Sequence, residues 1–384
     1  MDTQRLKDSF DRVAGEGDAV ALFFYSDLFV RNPHLRDMFP IGMSGQRDKL
    51  LRALGHIVSR VDDLPALVPF LQQLGRDHRR FGIVAEHYPH VGASLLATLR
   101  HFSGTAWTDE VEGDWNAAYS LVAKVMLESA DENALSSPAW WNGHVVAVER
   151  RRFDISVLRV QPDRPLPYLP GQSVALEVPS RLRHWRYYSM ANAPRPDQTV
   201  DFHVRLVDGG PVSPVLVRGT DAGDRVRMGA PIGTLTLDEA SGRDVLLIAG
   251  STGLAPLKAI LEQIAHRPAP PPRVHLFFGA RTRDGLYDLE DLTKLAGEFP
   301  WLTVVPAVSD ESGGHGFSSL LQAGDGDVEH GNLSDVVARR GPWDGHDAYV
   351  CGPSAMVGHT VEQLTRLGVP RDRIRLETFA DAQR

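Results

Sequence analysis

Arg186-Tyr187-Tyr188-Ser189 packs three kinds of chemistry into four residues. A guanidinium can pair with a pyrophosphate, a phenol can lie along a ring system, and a hydroxyl can reach a ring nitrogen. The stretch could therefore grip a flavin dinucleotide at three points. On an extended strand Arg186 and Tyr188 face one way and Ser189 the other. Surface strands often carry these residue types, so the motifs farther along the chain decide their weight: Gly210-Pro211-Val212-Ser213, then Gly250-Ser251-Thr252-Gly253-Leu254-Ala255-Pro256, then Cys351-Gly352-Pro353. The second of these lies between the apolar run 245–248 and a helical stretch. Its glycines permit close backbone approach, and a helix start offers free N–H groups to a pyrophosphate, although the stricter G-x-G-x-x-G pattern is absent. Further on, a strand at 274–278 runs into Gly279-Ala280-Arg281-Thr282 with no acid at its end. An acid there would favour the free ribose of NADH, whereas an Arg can accept a 2′-phosphate, so Arg281 predicts that NADPH is accepted. Tyr287 could stack on the adenine.

The order and spacing of these motifs resemble the ferredoxin-reductase family of flavin and nicotinamide enzymes over residues 140 to 384. The resemblance implies that Val212 and Ser213 form a second phosphate clamp for the flavin. It also implies that the Cys351-Gly352-Pro353 turn faces the nicotinamide and that Phe379 lies beside the flavin ring. Many such reductases pass electrons to an iron–sulfur cluster, which needs about four Cys ligands. This chain of 384 residues has one, Cys351. The one-electron acceptor must be something else, and the first 135 residues should hold it.

The elements that would position these groups fall into three patterns. Residues 1–134 read as all-helical. Leu22, Tyr25 and Phe29 share a face, Asn32-Pro33 reads as a cap with a first-turn proline, and Leu67, Leu71, Leu74 and His78 form one stripe. Tyr88, Gly92, Leu95 and Leu99 form another, and Val111, Trp115, Ala118, Val122 and Val125 a third. This fits a globin-like packing as well as a bundle. Ser136-Ser137-Pro138 breaks the pattern, and the period then changes to two. Val200, Phe202, Val204 and Leu206 alternate with Asp201, His203 and Arg205, and Val174, Leu176 and Val178 with Ala175 and Glu177. These predict an antiparallel β-barrel over 139–240. From 241 to 384 short apolar strands alternate with helical segments, which predicts an α/β doubly wound parallel sheet. Ser309 to Gly331 reads as an irregular loop with one short helix.

Composition narrows the function classes. A hydrophobic fraction of 42% is that of an ordinary globular protein, and a net charge of −8 without basic runs argues against nucleic acid. The polar start has no apolar core of the signal-peptide kind, and no apolar run approaches the ~20 residues that span a bilayer. A cytoplasmic location is the expectation, with no transmembrane segment and no obligate protein partner.

A histidine on an apolar stripe is usually a packed or edge residue. Around His78, however, stands a train of residues: Tyr25, Leu28-Phe29, Asn32-Pro33, Phe39-Pro40, Gln46-Arg47 and Tyr88. With the flavin and nicotinamide motifs behind it, this train resembles the flavohaemoglobin family across nearly the whole chain. The resemblance implies three domains, a globin at 1–135, an FAD-binding barrel at 139–240 and an NAD(P)H-binding domain at 241–384. It implies haem b with His78 as axial iron ligand, Tyr25 and Gln46 as distal hydrogen-bonding groups, Phe39 packed on the haem, Leu50 as an apolar distal neighbour, and Tyr88 as the proximal tyrosine that orients the His. Electrons would pass from NAD(P)H through FAD to the haem, and nitric oxide would be oxidised with O2 to nitrate. A haem-based oxygen or redox sensor, and a flavin reductase without functional haem, are the alternatives.

Three positions depart from the family pattern. Asp77 precedes the axial His where the family has Lys, Ala130 stands at the position of its proximal Glu, and Ser173 replaces a Tyr that comes after Pro170-Gly171-Gln172. The stretches Arg186–Asn192 and 229–237 look more like the reductases of oxygenases.

Overall fold

The computed structural model describes residues 1–268, 270–310 and 328–379, and they divide into two compact units, one of residues 1–140 and one of the described residues from 141 to 379. The first is helical: α1 (Thr3–Ala14), α2 (Asp18–Arg31), α3 (Ser44–Ser59), α4 (Leu64–His78), α5 (His87–Ser103) and α6 (Asp109–Ala134). Its core gathers Phe24, Tyr25, Leu28, Leu95, Leu99 and Trp115, so the predicted stripes of α5 and α6 do face inward. Leu22 is the exception. At 54% exposed it lies off the face it was expected to share with Tyr25. Asn32 does not cap the following 3-10 turn either. Its side-chain amide donates back to the Leu28 carbonyl and closes the end of α2 instead.

α4 and α6 approach closely because position 75 has no side chain. A Cβ there would collide with the Met126 carbonyl oxygen. The approach fixes α4 three residues before His78, and Arg76 and Ser129 bond across the same seam at 3.2 Å.

The second unit carries two sheets. β1 (Trp141–Arg150), β2 (Ile155–Pro162), β3 (Ser173–Glu177), β4 (Arg186–Ser189), β5 (Val200–Arg205) and β6 (Arg225–Met228) form an antiparallel sheet in the order β4-β3-β6-β1-β2-β5. A bridge between Met190 and Phe202 brings its two edges together into a nearly closed barrel. A short helix, α7 (Ser213–Arg218), comes after β5.

The other sheet is parallel, in the order β10-β9-β8-β7-β11-β12. Its strands are β7 (Asp244–Gly250), β8 (Val274–Ala280), β9 (Leu302–Val308), β10 (Glu329–His330), β11 (His346–Pro353) and β12 (Ile374–Phe379). Helices α8 (Leu254–Ala265), α9 (Leu289–Glu298), α10 (Leu333–Arg339) and α11 (Ser354–Arg366) cover it, with one apolar cluster on each face. This is the architecture that βαβ repeats impose. The loop expected over Ser309 to Gly331 lies mostly outside the described residues. Within them, Glu329–His330 is a short strand paired with β9.

β5 departs from its predicted pattern in an informative way. Val200, Phe202 and Val204 fill the barrel core as the period of two requires, yet Asp201 and His203 are also buried, at 7% and 6% exposed. The polar face of this strand is covered at these two positions, while Arg205 at its end stays exposed.

Candidate functional site

His78 is the last residue of α4. Its Nδ1–H donates to the Leu74 carbonyl at 2.7 Å, one turn back in its own helix. That bond sets both the tautomer and the ring direction, and it leaves Nε2 as a free lone pair. Burial also pushes the imidazole pKa down, which favours the neutral form that a metal requires. The residues thus fit an axial iron ligand. Beside it Asp77 pairs with Arg80 at 3.2 Å, so the acid that replaces the family Lys is held by a neighbouring cation.

Tyr25 lies in an aromatic cluster, with ring centroids 5.0 Å from Phe24, 5.8 Å from Phe29 and 5.4 Å from Phe39. Among the described residues its hydroxyl has one weak partner, the Gln46 carbonyl at 3.5 Å, and burial lifts its pKa to about 12. A buried O–H so poorly satisfied is poised to donate to a ligand. Gln46 and Leu50 are both half-buried on α3, and Leu50 and Phe39 pack against the same core as Tyr25. Tyr88 opens α5, and its carbonyl accepts from the Tyr119 hydroxyl at 2.5 Å. Burial raises its phenol pKa, and the charge of Asp131 raises it further. Of the two acids near the family Glu position, Asp131 therefore lies within electrostatic reach of Tyr88, while Glu128 pairs with Lys124 at 3.8 Å.

In the second unit β4 presents Arg186 and Tyr187 exposed, Tyr188 half-buried and Ser189 buried. The Arg186 guanidinium bonds the Trp185 carbonyl at 2.9 Å. The Tyr188 phenol is held well above its usual pKa by burial, with Arg186 pulling it back. An exposed guanidinium beside a half-buried phenol fits a dinucleotide that is charged at one end and aromatic at the other. Val212 is buried, and the Ser213 hydroxyl accepts from the Val207 N–H at 3.0 Å, closing the turn before α7.

The Gly-rich turn and the Cys351 turn meet backbone to backbone. A Cβ at Gly253 would strike the Cys351 carbonyl, and one at Gly352 or Gly250 would strike Met356. The Cys351 turn therefore requires Gly253, whereas at Gly250 and Gly352 the nearest neighbour is the flexible end of Met356. Gly352 has φ +155 and Ser251 φ +54. Thr252, Gly253, Leu254, Ala255 and Pro256 are buried, and α8 starts directly after the turn. Pro353 pairs in register with Phe379, which is half-buried at the end of β12. The Cys351 thiol pKa is raised well above its usual value by burial.

Two residues stand apart from the sequence expectations. Tyr287 does not offer its ring to an adenine. It is buried, its ring packs edge-on against Phe278 at 5.8 Å, and its hydroxyl shares a 2.7 Å hydrogen bond with His203 Nδ1. Glu377, in register with Cys351, carries no motif that marks it. Burial lifts its carboxyl to about pH 7, opposed by a hydrogen bond from Ser173. Its strand, Ile374–Phe379, alternates apolar and polar residues, so Glu377 reads there as an ordinary outward-facing acid. Arg281 is exposed just past β8, where its carbonyl accepts from the Asp310 N–H.

A helical unit with a histidine primed for iron, joined in one chain to a flavin-type barrel and a nucleotide-type parallel sheet, defines a haem-and-flavin oxidoreductase. Residues 22–126 match the globin family model, 144–237 the oxidoreductase FAD-binding domain and 247–362 the oxidoreductase NAD-binding domain. A flavohemoprotein of Bordetella parapertussis is 30% identical over 384 residues, covering 94% of this chain and 94% of its own. The chain belongs to the flavohemoprotein family. In fold it is similar to a flavohemoglobin of Malassezia yamatoensis, with a TM-score of 0.77 at 16% identity, covering 98% of both chains. The second unit is also similar to a cytochrome P450 reductase of Amycolatopsis, 33% identical with a TM-score of 0.56, over 64% of this chain and 71% of that one.

Proposed function

We propose that this chain takes electrons from NAD(P)H and uses them to oxidise nitric oxide with O2 to nitrate, in the cytoplasm and with small molecules as its only obligate partners. When bound, FAD accepts hydride from the nicotinamide and releases single electrons, and haem b supplies the iron at which O2 and nitric oxide react. The observation that carries this reading is His78: an anchored Nδ1–H and a free Nε2 in a half-buried position. Tyr25 donates on the distal side, with Gln46 as a second, weaker donor, and Phe39 and Leu50 keep that side apolar. Tyr88 orients the proximal side. Arg186 neutralises the flavin pyrophosphate, Tyr188 covers the ring system, and Ser189 bonds it, with Val212 and Ser213 clamping the other phosphate. Gly250 to Pro256 receives the nicotinamide pyrophosphate, Cys351-Gly352-Pro353 abuts its reactive ring, and Phe379 shields the flavin. We assign these roles to domains bounded at 1–135, 139–240 and 241–384.

The test is an absorption spectrum of the purified protein followed by nitric oxide consumption under air with NADH or NADPH. Haem and flavin bands together with stoichiometric nitrate are expected. Absence of a Soret band would overturn the haem assignment, and haem reduction without nitric oxide consumption would overturn the substrate.

A further inference from the structure

The polar face of β5, buried at Asp201 and His203 and exposed at Arg205, has no part in the electron route described above, yet each of the three residues leads to the nicotinamide-binding lobe. Asp201 accepts from Arg159 at 2.7 and 2.9 Å and from Arg195 at 2.8 Å. Arg195 reaches Glu262 of α8 at 3.0 Å, and Glu262 also accepts from the Ala193 N–H at 2.7 Å. His203 bonds Tyr287, whose neighbour Asp288 is fully buried and takes the ammonium of Lys258 on α8 at 2.5 Å. Asp288 also lies 3.7 Å from Arg151, at the end of β1. Arg205 donates to the Ser251 hydroxyl at 3.1 Å, inside the Gly-rich turn itself. Lys258 and Glu262 stand four residues apart, on one face of the helix that the turn begins.

We propose that the outer face of β5 is a register key, in which Asp201, His203 and Arg205 seat the nicotinamide lobe at one position on the flavin barrel and so act as positioning residues for flavin reduction. The key rests on the electron route proposed above. Interfaces between domains of one chain are usually polar and allow relative motion. Here apolar residues already join the lobes, since Ile155 and Leu235 pack into the core of the parallel sheet. Buried ion pairs add little stability over apolar packing, but their directional bonds select one register. Register matters because the hydride must cross a short gap. The C4–H bond of the reduced nicotinamide breaks, its hydrogen and two electrons pass to the flavin, the nicotinamide is oxidised and the flavin reduced. A misplacement of about 1 Å can cost about 100-fold in such a transfer.

The test uses the full-length protein loaded with haem and FAD. Flavin reduction by NADH and by NADPH, protiated and 4-deuterated, is followed by rapid mixing in His203→Gln, Arg205→Ala, Arg205→Lys and Glu262→Ala, and amide exchange is followed at Ala193. His203→Gln should slow reduction at saturating nicotinamide by about 10- to 100-fold, with full flavin occupancy and little change in nicotinamide affinity. Arg205→Ala, on an exposed residue, should slow it about threefold, and Arg205→Lys should restore it. Glu262→Ala should speed exchange at Ala193 about tenfold and slow reduction as well. Should His203→Gln fail to fold, the Arg205 and Glu262 variants decide alone. Faster exchange at Ala193 with parental reduction rates throughout would overturn the key, because the contacts would then join the lobes without setting the reacting distance. A parent whose flavin neither nicotinamide reduces would overturn the electron route, and the key with it.

Discussion

The two units hold their functional groups by opposite means. In the helical unit each key side chain has one partner or fewer among the described residues. His78 bonds its own helix, Tyr25 makes a single hydrogen bond at 3.5 Å, and for Tyr88 it is the carbonyl rather than the phenol that is bonded. In the second unit the glycine turns interlock, and the polar groups between barrel and lobe sit in multiply bonded ionic nets. The first arrangement leaves donors and a lone pair open for a bound group to complete. The second builds a scaffold before any cofactor arrives, which suits a reaction that depends on distance.

If this contrast is right, the two cofactors should be separable by mutation. His78→Ala is expected to abolish stable haem incorporation while FAD stays bound, read from the Soret and flavin bands. An unchanged Soret band and unchanged ligand binding would refute the assignment. Arg186→Ala should give the mirror image: protein with haem and little FAD, reducible by dithionite but not by a nicotinamide. Full flavin occupancy in that variant would sink the role of Arg186.

Within the haem pocket, losing a donor costs about 1–3 kcal/mol, so Tyr25→Phe should speed oxygen dissociation about 5- to 150-fold in flash photolysis. Equal rates would show that Tyr25 only packs. The scaffold should show its own signature in pH. Glu377 titrates near pH 7 in the fold and near 4.5 when exposed, so the folded state binds its proton more tightly. Stability should therefore fall as pH rises from about 4.5 through 7, and Glu377→Gln should flatten that part of a thermal-unfolding profile. A parental slope in the variant would place the titration elsewhere. The smallest effect is expected at Arg281. NADPH should be accepted alongside NADH, and Arg281→Ala should lower kcat/KM for NADPH relative to NADH by about tenfold. A strong NADH preference that the mutation leaves unchanged would show that Arg281 does not read the phosphate.

Local patterns carried the architecture. The stripe that ends at His78, the strands from Val174 and Val245, and the turn at Gly250 all rest on periodicity or backbone freedom, which neighbours in sequence express. What stayed hidden depends on what lies across the fold. Asp201 and His203 alternate with core residues as a solvent face would, but Arg159 and Arg195 lie over the first and Tyr287 over the second. Gly253 reads as room for a phosphate, whereas the Cys351 carbonyl already claims that space. Tyr287 offered an aromatic in the right loop, but His203, distant in sequence, turns it inward. Ala130 stands at the family acid's position, and that the charge of Asp131 reaches Tyr88 is a matter of helix packing that spacing alone could not resolve.

Among the described strands β12 pairs only with β11, and it carries Glu377 and Phe379 into the second unit. Synthesis runs from the N-terminus, and at about 5–20 residues per second roughly 12–50 s separate residue 140 from residue 379. During that interval the sequence of the helical unit is complete while the strand bearing Glu377 has yet to be made. A newborn molecule in that window has all six helices of its first unit in sequence and still lacks the edge strand that carries Glu377 and Phe379.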